Sequence, residues 1–209
     1  MLFDEIISLP NLFTAWNEFK TGKRSSEDVQ NFERYLEDEI FRLHWELKTK
    51  TYRHGTYHRF QIFDPKHRVI HKADVRDRIV HHAIYRILAP IFARSFIFDS
   101  YSCRIGKGTH AAVDRLEMFT RKVSRNFTMP CWALKCDIRK FFDSVNHNIL
   151  FQLIKQKVDD PDTLWLMQHL VDSFKPVDKK VERERERASR NSDWKSHVSA
   201  VCQRVHERI

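Results

Sequence analysis

One carboxylate, Asp137, stands where metal-dependent phosphoryl transfer is possible. It ends the apolar run Cys131–Asp137, which predicts a buried strand, and Phe141 and Phe142 follow closely. A strand-end carboxylate and the adjacent backbone carbonyl can hold Mg²⁺, and a nearby aromatic side chain can select the sugar of a bound nucleotide. The simplest alternative is that Asp137 caps a turn or a helix, as isolated aspartates commonly do.

A second stretch with chemical potential is the glycine-flanked lysine Gly106-Lys107-Gly108. It precedes an apolar periodicity that predicts a helix, and the amino end of a helix attracts phosphate. A plain loop-to-helix turn is the alternative. A Walker A loop is excluded, because the pattern G-x-x-x-x-G-K-[ST] does not occur.

The elements that must position these residues follow from periodicity and turn residues. A long amphipathic helix is predicted over Val29–Leu47, capped by Ser25 or Ser26. A hairpin is predicted from the strands Tyr57–Phe63 and Arg68–Ile70, joined by the turn Asp64–His67. Further helices are predicted from Asp74 to near Pro90, over His147–Val158 and over Asp162–Phe174, with Asp159–Asp162 as the turn between the last two.

Composition narrows the function classes. The 209 residues, 42% of them hydrophobic, suffice for a core, and the net charge of +9 is compatible with a nucleic-acid partner. No run of 18 apolar residues and no signal-peptide pattern occurs, which predicts a cytoplasmic protein without a membrane partner. The four cysteines lack C-x-x-C spacing, so we expect buried, reduced thiols, and the absence of H-E-x-x-H excludes that type of zinc hydrolase.

The stretch "KCDIRKFFDSVNH" resembles the first palm motif of reverse transcriptases from bacterial retroelements. The upstream stretches "FDPKHRVI", "DRIVHHAI" and "PIFARSFIFDSYSCRIGKGTHAAV" resemble their fingers. The likeness covers roughly Tyr57 to Phe174, in the family's order. It is strongest to diversity-generating retroelements, with group II intron and retron enzymes as relatives.

The resemblance implies roles for particular residues. Asp137 and the backbone carbonyl of Ile138 would ligate two catalytic Mg²⁺ ions, and Phe142 would be the steric gate against ribonucleotides. The backbone amides of Lys140 and Phe141, together with Arg68 and nearby Lys66, would bind the nucleotide triphosphate. Arg104 and Lys107 would contact template or primer. For Lys66, Arg104 and Lys107, a solvated surface role is the alternative.

The family also requires a glycine-rich "PxGN…SQ…AN" motif, a Y-x-D-D-type hairpin and a thumb, none of which is present in this reading frame. Arg190–Ile209, back-translated and read one base later, permits GIPIGNLTSQLFANVYMNEF, which resembles the missing glycine-rich motif. We therefore expect the chain beyond a point between Phe174 and Arg190 to be an out-of-frame translation. An ordinary charged C-terminal helix is the alternative.

These observations predict an α/β (α+β) fold: a helical N-terminal extension over 1–56, fingers and a partial palm over 57–174, and an aberrant charged tail over 175–209. The expected function is RNA-directed DNA polymerisation in the intact relative, with RNA template, DNA primer, dNTP and an accessory protein as partners. This chain is expected to be inactive alone, with weak or no Mg²⁺ binding. Two alternatives stay open: a non-catalytic nucleic-acid-binding fragment, and a metal nuclease pairing Asp137 with Asp143 or Asp99.

Overall fold

The computed structural model describes residues 1–63, 67–102, 104–138, 141 and 145–174, with the backbone alone at residues 67 and 68. Within them lie eight helices and a two-stranded sheet, so the predicted mixture of helices and strands is confirmed. The elements are α1 (Leu2–Ile7), α2 (Leu9–Lys20), α3 (Glu27–Arg34), α4 (Leu36–Lys48), β1 (His58–Phe63), β2 (His67–Lys72), α5 (Val75–Ala93), α6 (Thr109–Val123), α7 (His147–Lys155) and α8 (Pro161–Ser173).

The chain divides into two compact units. The first comprises Met1–Arg139 and Asn146–Ser173, and the second comprises Lys140–Val145 and Phe174–Ile209. All the helices and strands named above belong to the first unit. The predicted tail, 175–209, lies outside the described residues, and the predicted divisions at 56/57 and 174/175 stay predictions.

The core of the first unit is helical. Helices α1, α2 and α3 contact α5, α4 packs against α1, α2 and α3, and α8 contacts α1. The largest fully buried side chains include Trp16, Phe19 and Tyr52, and Leu166 of α8 shares the same apolar cluster. Burial of this many large side chains is the main stabilising contribution to the unit.

Asn11 shows how polar groups fix the bundle. Ser8 caps α2, because its hydroxyl accepts the backbone N–H of Asn11 at 3.3 Å. The buried Asn11 amide then donates to the carbonyl oxygens of Ile6, at 2.8 Å, and Ala83, at 3.2 Å. One side chain therefore ties α1 and α2 to α5 and satisfies its own buried donors.

Two helix predictions are wrong in their bounds. The predicted single helix Val29–Leu47 is two helices, because Tyr35 between them adopts φ −119° and ψ 30°. Pro90 does not end its helix but lies inside α5. Proline removes its own backbone donor and crowds the carbonyl four residues earlier, but the apolar face of α5 is buried on both sides of it, and this packing keeps the helix continuous.

The hairpin forms where the sequence predicts it. Strands β1 and β2 pair antiparallel, with His58 opposite Lys72, Phe60 opposite Ile70 and Ile62 opposite Arg68. Every residue of β1 is exposed. Of the predicted turn Asp64–His67, Asp64, Pro65 and Lys66 lie outside the described residues, and His67 belongs to β2, where it pairs with Phe63.

The segment Cys131–Ile138 corrects two predictions. It is irregular and exposed, so the predicted strand Cys131–Asp137 is wrong. A strand needs hydrogen-bonded neighbours, and within the described residues the single sheet is β1 with β2. Trp132 and Leu134 are accordingly 95% and 91% exposed. The predicted burial of the cysteines is wrong at Cys131 and Cys136, which are free and exposed.

In the described part of the chain, no helix is both long enough and apolar enough to cross a membrane.

Candidate nucleic-acid interface

The two predicted nucleic-acid contacts, Arg104 and Lys107, lie together on one tight turn. They form an isolated antiparallel bridge in which the Lys107 backbone N–H donates to the Arg104 carbonyl at 3.1 Å. Gly106 has φ +72°, a left-handed conformation that favours glycine. Ile105 at the tip is fully exposed. The turn therefore places two cations next to each other immediately before α6.

Lys107 is held over aromatic rings. Its ammonium lies 3.7 Å from the ring centroid of Phe98 and 5.4 Å from that of Tyr101, and it donates to the Phe98 carbonyl. An ammonium over an aromatic face is attracted by the ring's negative charge distribution. The charge is thus positioned by the protein, which lowers the entropy lost when it meets an anion.

Arg104 has a structural role as well as a charge. Its guanidinium donates to the carbonyls of Ile97 and Ser100, each at 3.2 Å, and lies 5.6 Å from the Phe96 ring centroid. These contacts hold the segment before the turn against it. Part of the guanidinium's hydrogen-bonding capacity is therefore used inside the chain, and Lys107 is the better probe of ligand binding.

Asp99 is the acidic partner of this region. It accepts hydrogen bonds from Arg115 of α6 at 2.8 Å and from Tyr101 at 2.9 Å. The hydrogen bond from Arg115 is the largest influence on the Asp99 carboxyl and holds its pKa below the usual value. Because Asp99 is committed to Arg115 and Tyr101, it is a poor candidate for the metal-ligand role in the nuclease alternative.

A shallow depression open to solvent lies at this turn. Its lining combines cations, an aromatic ring, hydroxyl groups and the first residue of α6: Tyr101, Ser102, Arg104, Ile105, Lys107, Gly108 and Thr109. The N-cap of α6, Gly108, provides no side-chain cap. The amino-terminal amides and the two cations make this the part of the described chain best suited to a phosphate backbone.

The aromatic residues of this site were not singled out from the sequence. Phe96, Phe98 and Tyr101 contact the two cations, and Arg115 lies over the rings of Phe98 and Phe119. A signal was present in the stretch "FIFDSY", in which aromatic residues alternate with others ahead of the basic turn. Basic residues interleaved with aromatics are typical of single-stranded nucleic-acid binders.

Asp137, the predicted catalytic residue, lies on the exposed irregular segment rather than at the end of a buried strand. Neighbouring Ile138 is 64% exposed. Among the described residues, no hydrogen bond or ion pair joins Asp137 to Arg104 or Lys107. The structure therefore places the two predicted nucleic-acid contacts on one turn and the predicted catalytic carboxylate on another, irregular segment.

The predicted nucleotide-binding residues are only partly described. Arg68 lies on β2, paired with Ile62, and Phe141 is 50% exposed. Lys66, Lys140 and Phe142 lie outside the described residues, as does Asp143 of the nuclease alternative. The roles assigned to all of them stay predictions.

The described residues do not make a complete magnesium site. Asp137 and the Ile138 carbonyl supply at most a few oxygen ligands, whereas Mg²⁺ requires about six in octahedral geometry. In the described ranges, no group of three or more His, Cys, Asp or Glu side chains is placed to hold a metal ion.

Comparison with known proteins adds distant similarity to intron proteins. No protein-family model matches the chain. It is 28% identical over 106 residues to nuclear intron maturase 1, mitochondrial, of Arabidopsis thaliana, a match that covers 51% of this chain and 14% of that protein. It is 28% identical over 93 residues to an uncharacterized 91 kDa protein in the cob intron of Schizosaccharomyces pombe, a match that covers 44% of this chain and 11% of that protein.

A third match is protein YkfC of Escherichia coli K12, 26% identical over 93 residues, which cover 44% of this chain and 24% of that protein. The matched region thus spans between about a tenth and a quarter of these relatives. Two of the three are named for introns, in keeping with the predicted relation to intron enzymes. The chain is therefore distantly similar to an intron maturase and to a protein in the cob intron.

Proposed function

We propose that this chain is the fingers and first palm segment of a reverse transcriptase, and that on its own it binds RNA without polymerising DNA. The observation that carries the proposal is the distant similarity to an intron maturase over half of the chain. The placement of Arg104 and Lys107 beside aromatic rings and the amino end of α6 supports the RNA-binding part.

Catalysis belongs, in this proposal, to intact relatives. RNA-templated nucleotidyl transfer with two Mg²⁺ ions needs several carboxylates on a rigid frame, and the described residues offer Asp137 alone on an exposed irregular segment. Template RNA, DNA primer, dNTP and an accessory protein are the partners proposed for the intact enzyme. The alternative of a non-catalytic nucleic-acid-binding fragment predicts the same behaviour for this chain.

RNA binding is tested by titrating the full chain with a fluorescent single-stranded RNA at several salt concentrations. We expect affinity to fall as salt rises, because phosphate contacts release counterions. Lys107→Gln is expected to weaken binding several-fold and to lower the salt slope by about 1, the change expected when one lysine–phosphate interaction is removed. Lys107→Arg keeps the charge and should retain most of the affinity.

The matched control is Lys48→Gln, which removes an exposed lysine from α4. It should leave the affinity within about twofold, because it changes net charge by the same amount outside the proposed interface. Equal losses of affinity in Lys107→Gln and Lys48→Gln would show that the turn is not the interface. Salt-independent binding would contradict phosphate recognition altogether.

The out-of-frame origin of the tail is proposed separately. Sequencing the encoding DNA from the Phe174 codon onward tests it. We expect the shifted frame to continue through the glycine-rich motif into Y-x-D-D-type codons. A shifted frame closed by stop codons before such a run would mean that the tail is a genuine part of the protein.

A further inference from the structure

A buried carboxylate anchors the segment that leads into the hairpin. Asp77 of α5 is 1% exposed in its side chain, and it accepts the Tyr52 hydroxyl at 2.7 Å and the Gly55 backbone N–H at 2.9 Å. A Cβ at Gly55 would lie 2.9 Å from an Asp74 carboxylate oxygen and 3.0 Å from one of Asp77. A larger residue at position 55 would therefore have to displace these carboxylates, and the Gly55–Asp77 hydrogen bond holds the segment before β1 against α5.

Two histidines meet beside this anchor. The Nε2 atoms of His54 and His81 are 3.2 Å apart, with the imidazole planes 17° from parallel. The Nδ1 atom of His54 lies 2.7 Å from the Gly55 carbonyl, which can only accept, so Nδ1 carries a hydrogen. Neutral His54 therefore has a bare Nε2, which accepts the Nε2–H of His81. When both rings are neutral, this one hydrogen bond joins the segment before β1 to α5.

We propose that the His54–His81 pair is a pH-sensitive latch: it closes the hairpin root onto α5 when both rings are neutral and opens when the pair gains protons. The His54 side chain is 2% exposed, so a charge on the pair has little water around it. The Asp77 carboxylate, whose Oδ2 lies 3.7 Å from Nδ1 of His54, opposes this cost. When the latch opens, water reaches the protonated ring and hydrates its charge. If both rings are protonated, two N–H groups face each other and the hydrogen bond between them is broken.

Burial and the charges around the pair determine in which direction pH changes the stability of the closed form. Burial is the largest cause that lowers the pKa of His81, to about 4, and His54, His82 and Arg78 lower it further, while Asp77 opposes them. Tyr57 also stacks on His54, with ring centroids 4.8 Å apart. A histidine with a lowered folded-state pKa stabilises the closed form fully above its ordinary value near 6.5, and that stability is lost as pH falls toward about 4.

Other charged contacts also lie at the hairpin root. Nε2 of His58 lies 2.8 Å from a carboxylate oxygen of Asp74. Asp28 contacts Lys72 at 2.8 Å and Arg78 at 2.6 Å. Burial raises the pKa of Asp28, but hydrogen bonds, the one from Lys72 first, lower it by more. The net pKa is below the usual value, so the Asp28 carboxylate stays charged while His81 titrates. His82 also has a pKa lowered by burial, but its ring packs against Phe19 of α2. Loss of closure at the hairpin root between pH 6.5 and 4 is therefore assigned to the His54–His81 pair.

The amide of Gly55 reports the latch directly, because its N–H donates to Asp77 in the closed form. We would measure its hydrogen exchange by NMR in the full chain from pH 7 to 4.5, corrected for intrinsic exchange rates. An opening linked to one proton increases up to tenfold per pH unit. We expect that increase at Gly55 below pH 6.5, while amides in α2 keep their protection.

His81→Gln should remove most of this pH dependence, because the amide cannot be protonated. The matched control, His82→Gln, alters the neighbouring histidine, whose ring packs 5.7 Å from Phe19, and should retain the wild-type slope. If His81→Gln does not fold, His54→Gln carries the same expectation. An unchanged slope in the folded variant, or parallel loss of protection in α2, would overturn the latch.

Discussion

The helical bundle and the stretch from α6 to Ile138 show opposite relations between sequence and environment. In the bundle, apolar residues at helical spacing are buried between elements, as Trp16 and Leu43 are. In α6, residues with the same spacing are exposed: Val113 by 57%, Leu116 by 60% and Val123 by 67%. The helix buries none of its residues. Amphipathicity therefore specifies which face needs a partner, but only the rest of the fold supplies one.

The same contrast holds for backbone hydrogen bonds. Helices satisfy most of theirs within the element, so the bundle and even exposed α6 keep regular structure. The apolar segment Cys131–Ile138 needs neighbouring strands, and it is irregular. An apolar segment of this kind thus gains regular structure only inside a larger sheet.

The largest expected effect separates two tryptophans. Trp16 is 1% exposed and Trp132 is 95% exposed. Trp16→Ala should lower the free energy of unfolding by about 3–5 kcal/mol, because it leaves a cavity in the bundle. Trp132→Ala should change it by less than about 0.5 kcal/mol. Urea denaturation measures both, and similar losses in the two variants would show that Trp132 is buried after all.

A second pair of variants, at two aspartates, should differ in unfolding free energy by an intermediate amount. Asp77→Ala leaves the Tyr52 hydroxyl and the Gly55 N–H without their acceptor, which should cost about 2–4 kcal/mol of unfolding free energy. Asp137→Ala, on the exposed segment, should cost less than about 0.5 kcal/mol. Thermal unfolding followed by circular dichroism compares them. A large loss in Asp137→Ala would indicate structural contacts around that carboxylate.

The smallest effect concerns Asp28, a half-buried carboxylate at the edge of the bundle. Its lowered pKa means that it stabilises the fold above the usual value near 4, and that this contribution is lost as pH falls below it. Asp28→Asn should therefore destabilise at pH 7 by less than about 1 kcal/mol, given its partial exposure. The difference from wild type should shrink in denaturation at pH 3. A difference independent of pH would point to packing rather than charge.

Local patterns predicted the elements that satisfy themselves locally. The hairpin and the helices α5, α7 and α8 lie close to where alternation, helical spacing and turn residues placed them. Helix α7 ends at Lys155 rather than at Val158, and α8 begins at Pro161, inside the predicted turn Asp159–Asp162. The break at Tyr35 was not predictable from spacing, since apolar residues continue in register across it. Burial of Cys131 and Cys136 was also predicted wrongly, because it depended on a sheet around their segment.

The contacts of the candidate site also fall into two groups, those that local sequence predicts and those that depend on how the elements meet. Proximity of Arg104 and Lys107 follows from three residues of separation and a glycine that permits the turn. The contact between the Asp99–Arg115 pair and the rings of Phe98 and Phe119 depends on how α6 meets the preceding loop. Spacing along the chain does not specify such a contact. The cluster of Asp77, Tyr52, His54 and His81 likewise joins a loop to a helix and left no motif in the sequence.

Primer extension tests the central claim most directly. The full chain is incubated with a DNA primer on an RNA template, dNTPs and Mg²⁺, after gel-shift binding shows that the same preparation binds the primed RNA. We predict binding without nucleotide incorporation, since Asp137 has no described carboxylate partners for a two-metal site. Steady incorporation of dNTPs by the wild type that is abolished in Asp137→Ala would contradict the account, because it would show a complete catalytic site within these 209 residues.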